Sequence, residues 1–345
     1  MKFILTADLH LKNWSDSLIN DMPRRLFETF NTIEQMIKTA KERNISNIII
    51  AGDTNDLKGV INTKAFILFK RLILDKYKDI HWIILHGNHD SSEDNCSSIE
   101  LLDYDNTELI IKPTIIDNIL FFPFCRNMKT KFKEYLKSLD TIPPVLISHF
   151  GLTGAELSNG ISLVCDINAT DLRQFKLVLL GHYHKPQEYD TGINKIYYVG
   201  SPIILRRDEA NDEKRFLVVD TETMNVKSIK TDGYRKIISI TIDENTDMKE
   251  LEKYIKQCEK EGIQLIIKQR IRTIPEELKK KFEKLANDTG NIQIIDMSEI
   301  EVANRGLSLN MSLEEQAKKY LEIMQIPESE ISEYIKIFEE ICRDQ

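Results

Sequence analysis

The sequence predicts an α/β fold, with α+β character in its second half, and three observations carry that prediction. Short apolar runs stop at glycine or a polar residue, as in Asn47 to Asp56 (NIIIAGDTND), and read as strands buried on both faces. Stretches with apolar residues at helical spacing alternate with these runs, which gives a mainly parallel sheet. From Lys195 onward short strands are joined by turn-like segments, in KIYYVGSP, RFLVVDTE and NVKSIK, and suggest a second, more antiparallel sheet packed on the first.

In chain order, KFILT opens the first sheet. A helix follows over Asp21 to Arg43, with Leu26, Phe30, Ile33, Ile37 and Ala40 on one face, Asp21 placed to cap and Pro23 in the first turn. Asn47 to Ala51 is the second strand, Thr63 to Asp75 a second helix and His81 to His86 a third strand. Asn127 to Leu139 supplies a crossover helix before strands at Val145 to Ser148 and Leu177 to Leu180. Near Asp232 the pattern restarts as a small β-α-β-α-β module: ISITID, a helix through MKELEKYIKQCEKEG, IQLIIKQRI, a helix through PEELKKKFEKLAND, and IQIID. Beyond Arg305 come a helix from Ser312 to about Met324 and an amphipathic one carrying Ile331, Ile335, Phe338 and Cys342. The expected division is 1–232, 233–304 and a helical tail, 305–345.

With 345 residues, 41% of them hydrophobic and 30% charged, the chain can bury a proper core. Its five cysteines form no CxxC pair, which argues against a disulfide framework or thiolate-bound zinc and for a reducing compartment. The absence of a signal-peptide pattern and of any apolar run near ~20 residues leads to the expectation of a cytoplasmic protein with no membrane span. A net charge of −8 weighs mildly against a nucleic-acid substrate, because cations held at an acidic site would reverse the local sign.

The chemistry lies where the strands end. Asp8 and His10 follow the first strand, Asp53 the second, and Asn88, His89 and Asp90 the third; PVLISHF and LVLLGHYH deliver His149, His182 and His184. Taken singly, each motif has a plain structural explanation: capping for Asp8 or Asp53, a turn for Gly87-Asn88. Together they resist it, since five of the seven histidines fall in these motifs and only His81 and His86 lie elsewhere. Clustered His, Asp and Asn at strand ends point to a metal site, and oxygen with imidazole donors suits manganese, iron or zinc. Seven donors exceed one tetrahedral ion, so two are expected.

The series DLH, GDTND, GNHD, SHF and GHYH, followed by the GSP turn of KIYYVGSP, resembles the motifs of the calcineurin-like metallophosphoesterases in their family order. Within that superfamily the chain is similar to SbcD-type and tailed-phage recombination nuclease subunits. The resemblance implies a two-sheet metallophosphoesterase sandwich flanked by helices, with the β-α-β-α-β module as a cap beside DNA. It also implies two divalent ions, Mn2+ foremost, one held by Asp8, His10, Asp53 and His184 and the other by Asp53, Asn88, His149 and His182, with Asp53 as the bridge. His89 would contact the scissile phosphate or protonate the leaving oxygen, and Asp90 would orient His89. Asp56 stands where archaeal and eukaryotic relatives carry a histidine, which is the pattern of the SbcD branch, and it is a candidate substrate contact.

The function implied is a DNA exo- and endonuclease in repair or recombination, working with an SbcC-type coiled-coil ATPase that docks the tail. Homodimerisation through helices near Thr63 to Asp75 and Ser91 to Asp103 is expected on the same ground. Arg270, Arg272, Lys279 to Lys281 and Lys284 could touch phosphates, although charged helix faces are usually only solvated. Two other readings use the same residues: a small-molecule phosphodiesterase or phosphoprotein phosphatase, which the acidic charge suits, and a metal-less scaffold, which the complete donor set opposes.

Overall fold

Alternating side chains of each apolar run point to opposite faces, and in the computed structural model both faces are covered. The structure describes residues 1–269, except 16, 94–95, 159 and 244–245, together with 292–296, 317–318, 321, 331 and 334–335. One six-stranded sheet runs in the order Asn225–Lys230, Arg215–Asp220, Lys2–Thr6, Asn47–Ala51, His81–Leu85, Thr107–Ile110. Its last four strands are parallel, and the first two pair antiparallel, Arg215–Asp220 against Lys2–Thr6. The other runs Gln187–Asp190, Lys195–Tyr198, Leu177–Gly181, Val145–His149, Ile119–Phe122, Thr114–Ile116. Its four central strands are parallel and an antiparallel strand closes each edge.

Three apolar layers hold these sheets. Phe3, Leu5, Ile49 and Ile83 from one sheet meet Phe121, Ile147 and Leu179 from the other between them. Ile4, Ile48, Ile50 and Ile84, the alternate residues of the same strands, pack outward on Leu26, Phe30, Ile33, Phe66 and Phe69. Leu120, Leu146, Val178 and Leu180 pack outward on Phe132, Phe150 and Phe175. Burying each such side chain contributes roughly 1.5–3 kcal/mol. Every central strand therefore lies between two apolar layers, the arrangement of a metallophosphoesterase sandwich.

The first helix spans Arg24–Glu42, with all five residues of its expected face buried. Pro23, not Asp21, is its N-cap; Asp21 sits at φ 61° in the turn between the two-residue strands Leu18–Ile19 and Met22–Pro23. The second helix, Thr63–Phe69, is capped by Asn62, whose side chain accepts the Ala65 N–H at 3.0 Å, and it continues as a π-turn over Lys70–Leu74. The third spans Met128–Lys137.

Two expectations need correction. Of the stretch from Lys195 onward only KIYY joins the second sheet, as Lys195–Tyr198: RFLVVD and NVKSIK extend the edge of the first sheet, while Val145–His149 and Leu177–Gly181 form the centre of the second. Local pattern reports that a run is a strand but not which sheet it joins. Over Ser91 to Asp103 there is no α-helix among the described residues but two short strands and a 3-10 turn, Ser98–Leu102, begun by a Ser97/Glu100 capping box.

The chain divides into two compact units, Met1–Ile238 and Ser239–Gln345. Near and beyond that boundary a separate three-stranded sheet is formed by Ile237–Ile242, Gln264–Gln269 and Ile292–Asp296, the last two parallel. The helix Met248–Lys260 buries Leu251, Ile255 and Cys258. The expected second helix of this module, with Arg270, Arg272, Lys279 to Lys281 and Lys284, lies outside the described residues, as do Phe338 and Cys342. In the tail, the described residues 317–318, 321, 331 and 334–335 are helical and Ile331 is buried.

Candidate metal centre

Five parallel strands end at this centre. Lys2–Thr6 leads into Asp8 and His10, Asn47–Ala51 into Asp53, and His81–Leu85 into Asn88. Val145–His149 ends on its histidine, and Leu177–Gly181 leads into His182 and His184. Carboxyl ends of parallel strands are where α/β sheets gather ligands. Asp8, His10, Asp53 and His182 all adopt positive φ (55°, 45°, 53° and 94°), a conformation costing on the order of 1–3 kcal/mol each at residues other than glycine. Gly52, at φ 91°, leaves room for the imidazole of His149: a Cβ there would fall 2.2 Å from Nδ1.

Two groups of potential ligands result. Asp8, His10 and His184 offer ligand atoms within 4.8 Å of one another, and Asp53, His149 and His182 form a second such set. Asn88 joins the second, its Oδ1 3.0 Å from both His149 Nε2 and His182 Nδ1. Asp53 lies between the two: its Oδ2 is 3.2 Å from His149 Nε2 and 3.8 Å from His10 Nε2. The backbone N–H of His182 donates to Asp8 at 3.1 Å, tying the first and last motifs together. All seven expected ligands are thus brought together, and all but His182 and His184 are fully buried.

Burial pushes the Asp8 carboxyl upward despite the neighbouring imidazoles. For Asp53 burial acts the same way, but His149 and His10 outweigh it and hold the carboxyl well below its ordinary range. His149 is driven up to about 9, Asp53 overcoming the desolvation that opposes it. Burial and the nearby imidazoles take His182 down to about 3.

The family pattern described as calcineurin-like phosphoesterase matches residues 1–186, more than half of the chain. This chain belongs to the calcineurin-like phosphoesterases. Relatives include exonuclease subunit 1 of Enterobacteria phage T4, 28% identical over 221 residues that cover 59% of this chain and 62% of that protein. The matched part is therefore less than two thirds of the T4 protein. The SbcD component of the nuclease SbcCD from Escherichia coli K12 is 22% identical, covering 67% of each chain. The DNA double-strand break repair protein Mre11 of Sulfurisphaera tokodaii is 25% identical, covering 70% of this chain and 67% of that one.

Calcineurin-like phosphoesterases are metal-dependent enzymes with a two-metal centre, and the donor set here fits one. His10 Nδ1 lies 3.3 Å from Asp56 and His184 Nδ1 lies 2.7 Å from Glu209, while the two Nε2 atoms face each other at 3.1 Å. Ring nitrogens converging beside buried carboxylates are placed to hold a cation among them. Oxygen and imidazole donors without thiolate suit a hard-to-borderline ion.

Around this phosphoesterase centre two residues stand differently from the sequence expectation. Asp90 does not orient His89. Its carboxylate accepts the N–H groups of Gly87 (2.9 Å) and Asn55 (2.8 Å), so it braces the loops that carry Asn88 and Asp53. Burial, with Asp53 nearby, raises its pKa to about 7. His89 is oriented instead by the Asp56 carbonyl, which accepts from Nδ1 at 2.5 Å. The Asp56 carboxylate, expected to meet substrate, is engaged by His10 and by Lys12 Nζ at 2.7 Å. Burial opposes ionisation of Asp56, but these two cationic or hydrogen-bonding partners bring its pKa down to about 2.

Glu209 and Lys214 escaped the sequence reading. Glu209 lies in a 3-10 turn, Arg207–Glu209, and Lys214 just before the strand Arg215–Asp220, with the two side chains 2% and 0% exposed. Neither periodicity nor strand-end spacing marks them. The one available hint is a lysine flush against the buried run RFLVV.

Proposed function

We propose that this chain is a two-metal DNA nuclease, the nuclease subunit of an SbcCD-like repair or recombination complex. The observation that carries the reading is the placement of Asp53 between two ligand groups, 3.2 Å from His149 and 3.8 Å from His10, in a chain whose relatives are named as an exonuclease subunit, a nuclease subunit and a double-strand break repair protein. Asp8, His10, Asp53 and His184 would hold one ion and Asp53, Asn88, His149 and His182 the other, with Mn2+ as the native metal. When bound, such a pair neutralises the phosphodiester and supplies a nucleophilic water near neutral pH.

The protein's own part is positioning and proton handling. His89, half-buried beside His10, has Nδ1–H committed to the Asp56 carbonyl, so Nε2 is the atom left to exchange a proton with the leaving oxygen. The module over 233–304 would cap the DNA, the tail over 305–345 would dock on a coiled-coil ATPase, and two chains would pair, in the cytoplasm.

The net charge of −8 favours a second reading, a small-molecule phosphodiesterase or phosphoprotein phosphatase built on the same site. Hydrolysis of linear duplex DNA, bis-p-nitrophenyl phosphate, a cyclic nucleotide and a phosphopeptide, each with Mn2+, separates them. Nuclease activity on duplex DNA that disappears with chelator is the expected result. Turnover of the small esters or phosphopeptide with intact DNA would replace the first reading by the second.

A further inference from the structure

We propose that Glu209 and Asp56 are positioning residues that hold His184 and His10 in a single tautomer, with Nδ1 protonated and both Nε2 atoms free to bind one cation. This rests on the two-metal reading above. Glu209 Oε1 accepts from His184 Nδ1 at 2.7 Å, and Asp56 Oδ1 stands 3.3 Å from His10 Nδ1. A neutral imidazole carries one N–H; a carboxylate at Nδ1 takes it, and the lone pair is left on Nε2. The two Nε2 atoms lie 3.1 Å apart, within hydrogen-bond distance, so without an ion one proton is shared between them, and a bound cation would take that proton's place.

Each carboxylate is itself anchored. Glu209 accepts from Lys214 Nζ at 2.7 Å, the Leu205 N–H at 3.0 Å and Ser201 Oγ at 3.3 Å. Lys214 also donates to the backbone carbonyl of His184 at 3.0 Å, so one buried lysine fixes both the ligand's main chain and the acid behind its ring. Asp56 is held by Lys12 at 2.7 Å. A buried ion pair is a poor device for stability, since apolar residues of like volume serve as well. Orientation of His184 gives the Glu209–Lys214 pair a reason to be there. On the other side of Asp53 the arrangement differs: His149 Nδ1 donates to a neutral acceptor, the Ala51 carbonyl, at 2.7 Å. Both imidazoles of the Asp8, His10 and His184 group thus have a carboxylate at Nδ1, whereas His149 has a carbonyl there.

The test uses the metal-free full-length chain and its Glu209→Gln and Asp56→Asn variants, with two readouts. Titration with Mn2+ alone, followed by the electron paramagnetic resonance of the free ion, should show two ions bound to the wild type. In each variant one of them should weaken by roughly 10–100-fold, as loss of a partner behind a ligand does, while the other keeps its affinity. Nitrogen-15 NMR of the histidines in metal-free protein should show Nδ1 protonated on both His184 and His10, and a mixture of Nδ1 and Nε2 protonation at the affected ring in each variant. If Glu209→Gln does not fold, Asp56→Asn carries the same test at His10. Unchanged tautomers in the folded variants, or unchanged affinity for both ions, overturns the proposal. A wild type that binds no Mn2+ while its tautomers are as described overturns the two-metal reading instead.

Discussion

The carboxylate of Asp53 accepts the main-chain N–H of His89 at 2.8 Å. The residue proposed to bridge the two ions thus also sets the backbone of the histidine proposed to handle the proton. Their substitutions should nevertheless separate. His89→Ala should bind the same number of Mn2+ ions as the wild type and lose about 10²-fold or more in turnover. Asp53→Ala should lose bound metal. Metal content measured on both purified variants checks this, and equal loss would contradict the separate roles.

Gly87 is as constrained as any ligand. A Cβ at this position would lie 2.2 Å from Asp53 Oδ1 and 2.3 Å from the Asp53 backbone nitrogen, so either the carboxylate or the loop must move. Gly87→Ala should cost about 1–3 kcal/mol of stability, as overpacking does, and should lower Mn2+ affinity. Chemical denaturation and metal titration of the variant measure the two effects; wild-type values in both would show that the loop yields freely.

Asp8 and Asp53 are buried among imidazoles, so divalent cations should stabilise the folded chain. Binding confined to the native state contributes about 2.7 kcal/mol per ion at a hundredfold excess over its dissociation constant. For a unit of this size that corresponds to a Tm rise of roughly 5–10 °C. Melting curves with Mn2+ and with chelator should differ by at least this amount, and coincident curves would speak against a built cation site.

Away from the centre, Asp171 joins the third helix to the outer face of the second sheet. Burial acts to raise its pKa, but Lys133 at 2.9 Å, the Asn168 N–H at 3.1 Å and Lys129 at 3.6 Å hold it below the ordinary carboxylate value. A depressed carboxyl contributes stability above its unfolded-state pKa of about 4, and loses it as pH falls through the folded value. Asp171→Asn should therefore melt below the wild type at pH 7, with the gap closing as the pH falls below about 4. A gap that stays constant from pH 7 to pH 3 would show that the charge of Asp171 plays no part.

Much of this protein was legible because local rules and the fold agree. The face of Leu26, Phe30 and Ile33 and the runs NIIIA and HWIIL required only period and punctuation, and the burial of those strands on both faces follows from their unbroken apolarity. The seven proposed ligands were legible for a related reason: each lies at or just after the carboxyl end of a parallel strand, where α/β sheets gather ligands.

What sequence could not settle are relations between parts distant along the chain. RFLVVD reads as a strand, yet its place beside Lys2–Thr6 depends on pairing across more than two hundred residues. Asp90 sits next to His89 in sequence, but turn geometry spends its carboxylate on backbone N–H groups while a carbonyl from another loop orients the ring. Glu209 carries no local mark at all and reaches His184 only because a loop folds back with Lys214 behind it. Composition and period thus determined the strands, the helices and the donors at their ends. Tertiary structure decided sheet membership and the hydrogen-bond partner of each donor, because those depend on which backbone groups and side chains become neighbours once the chain has closed.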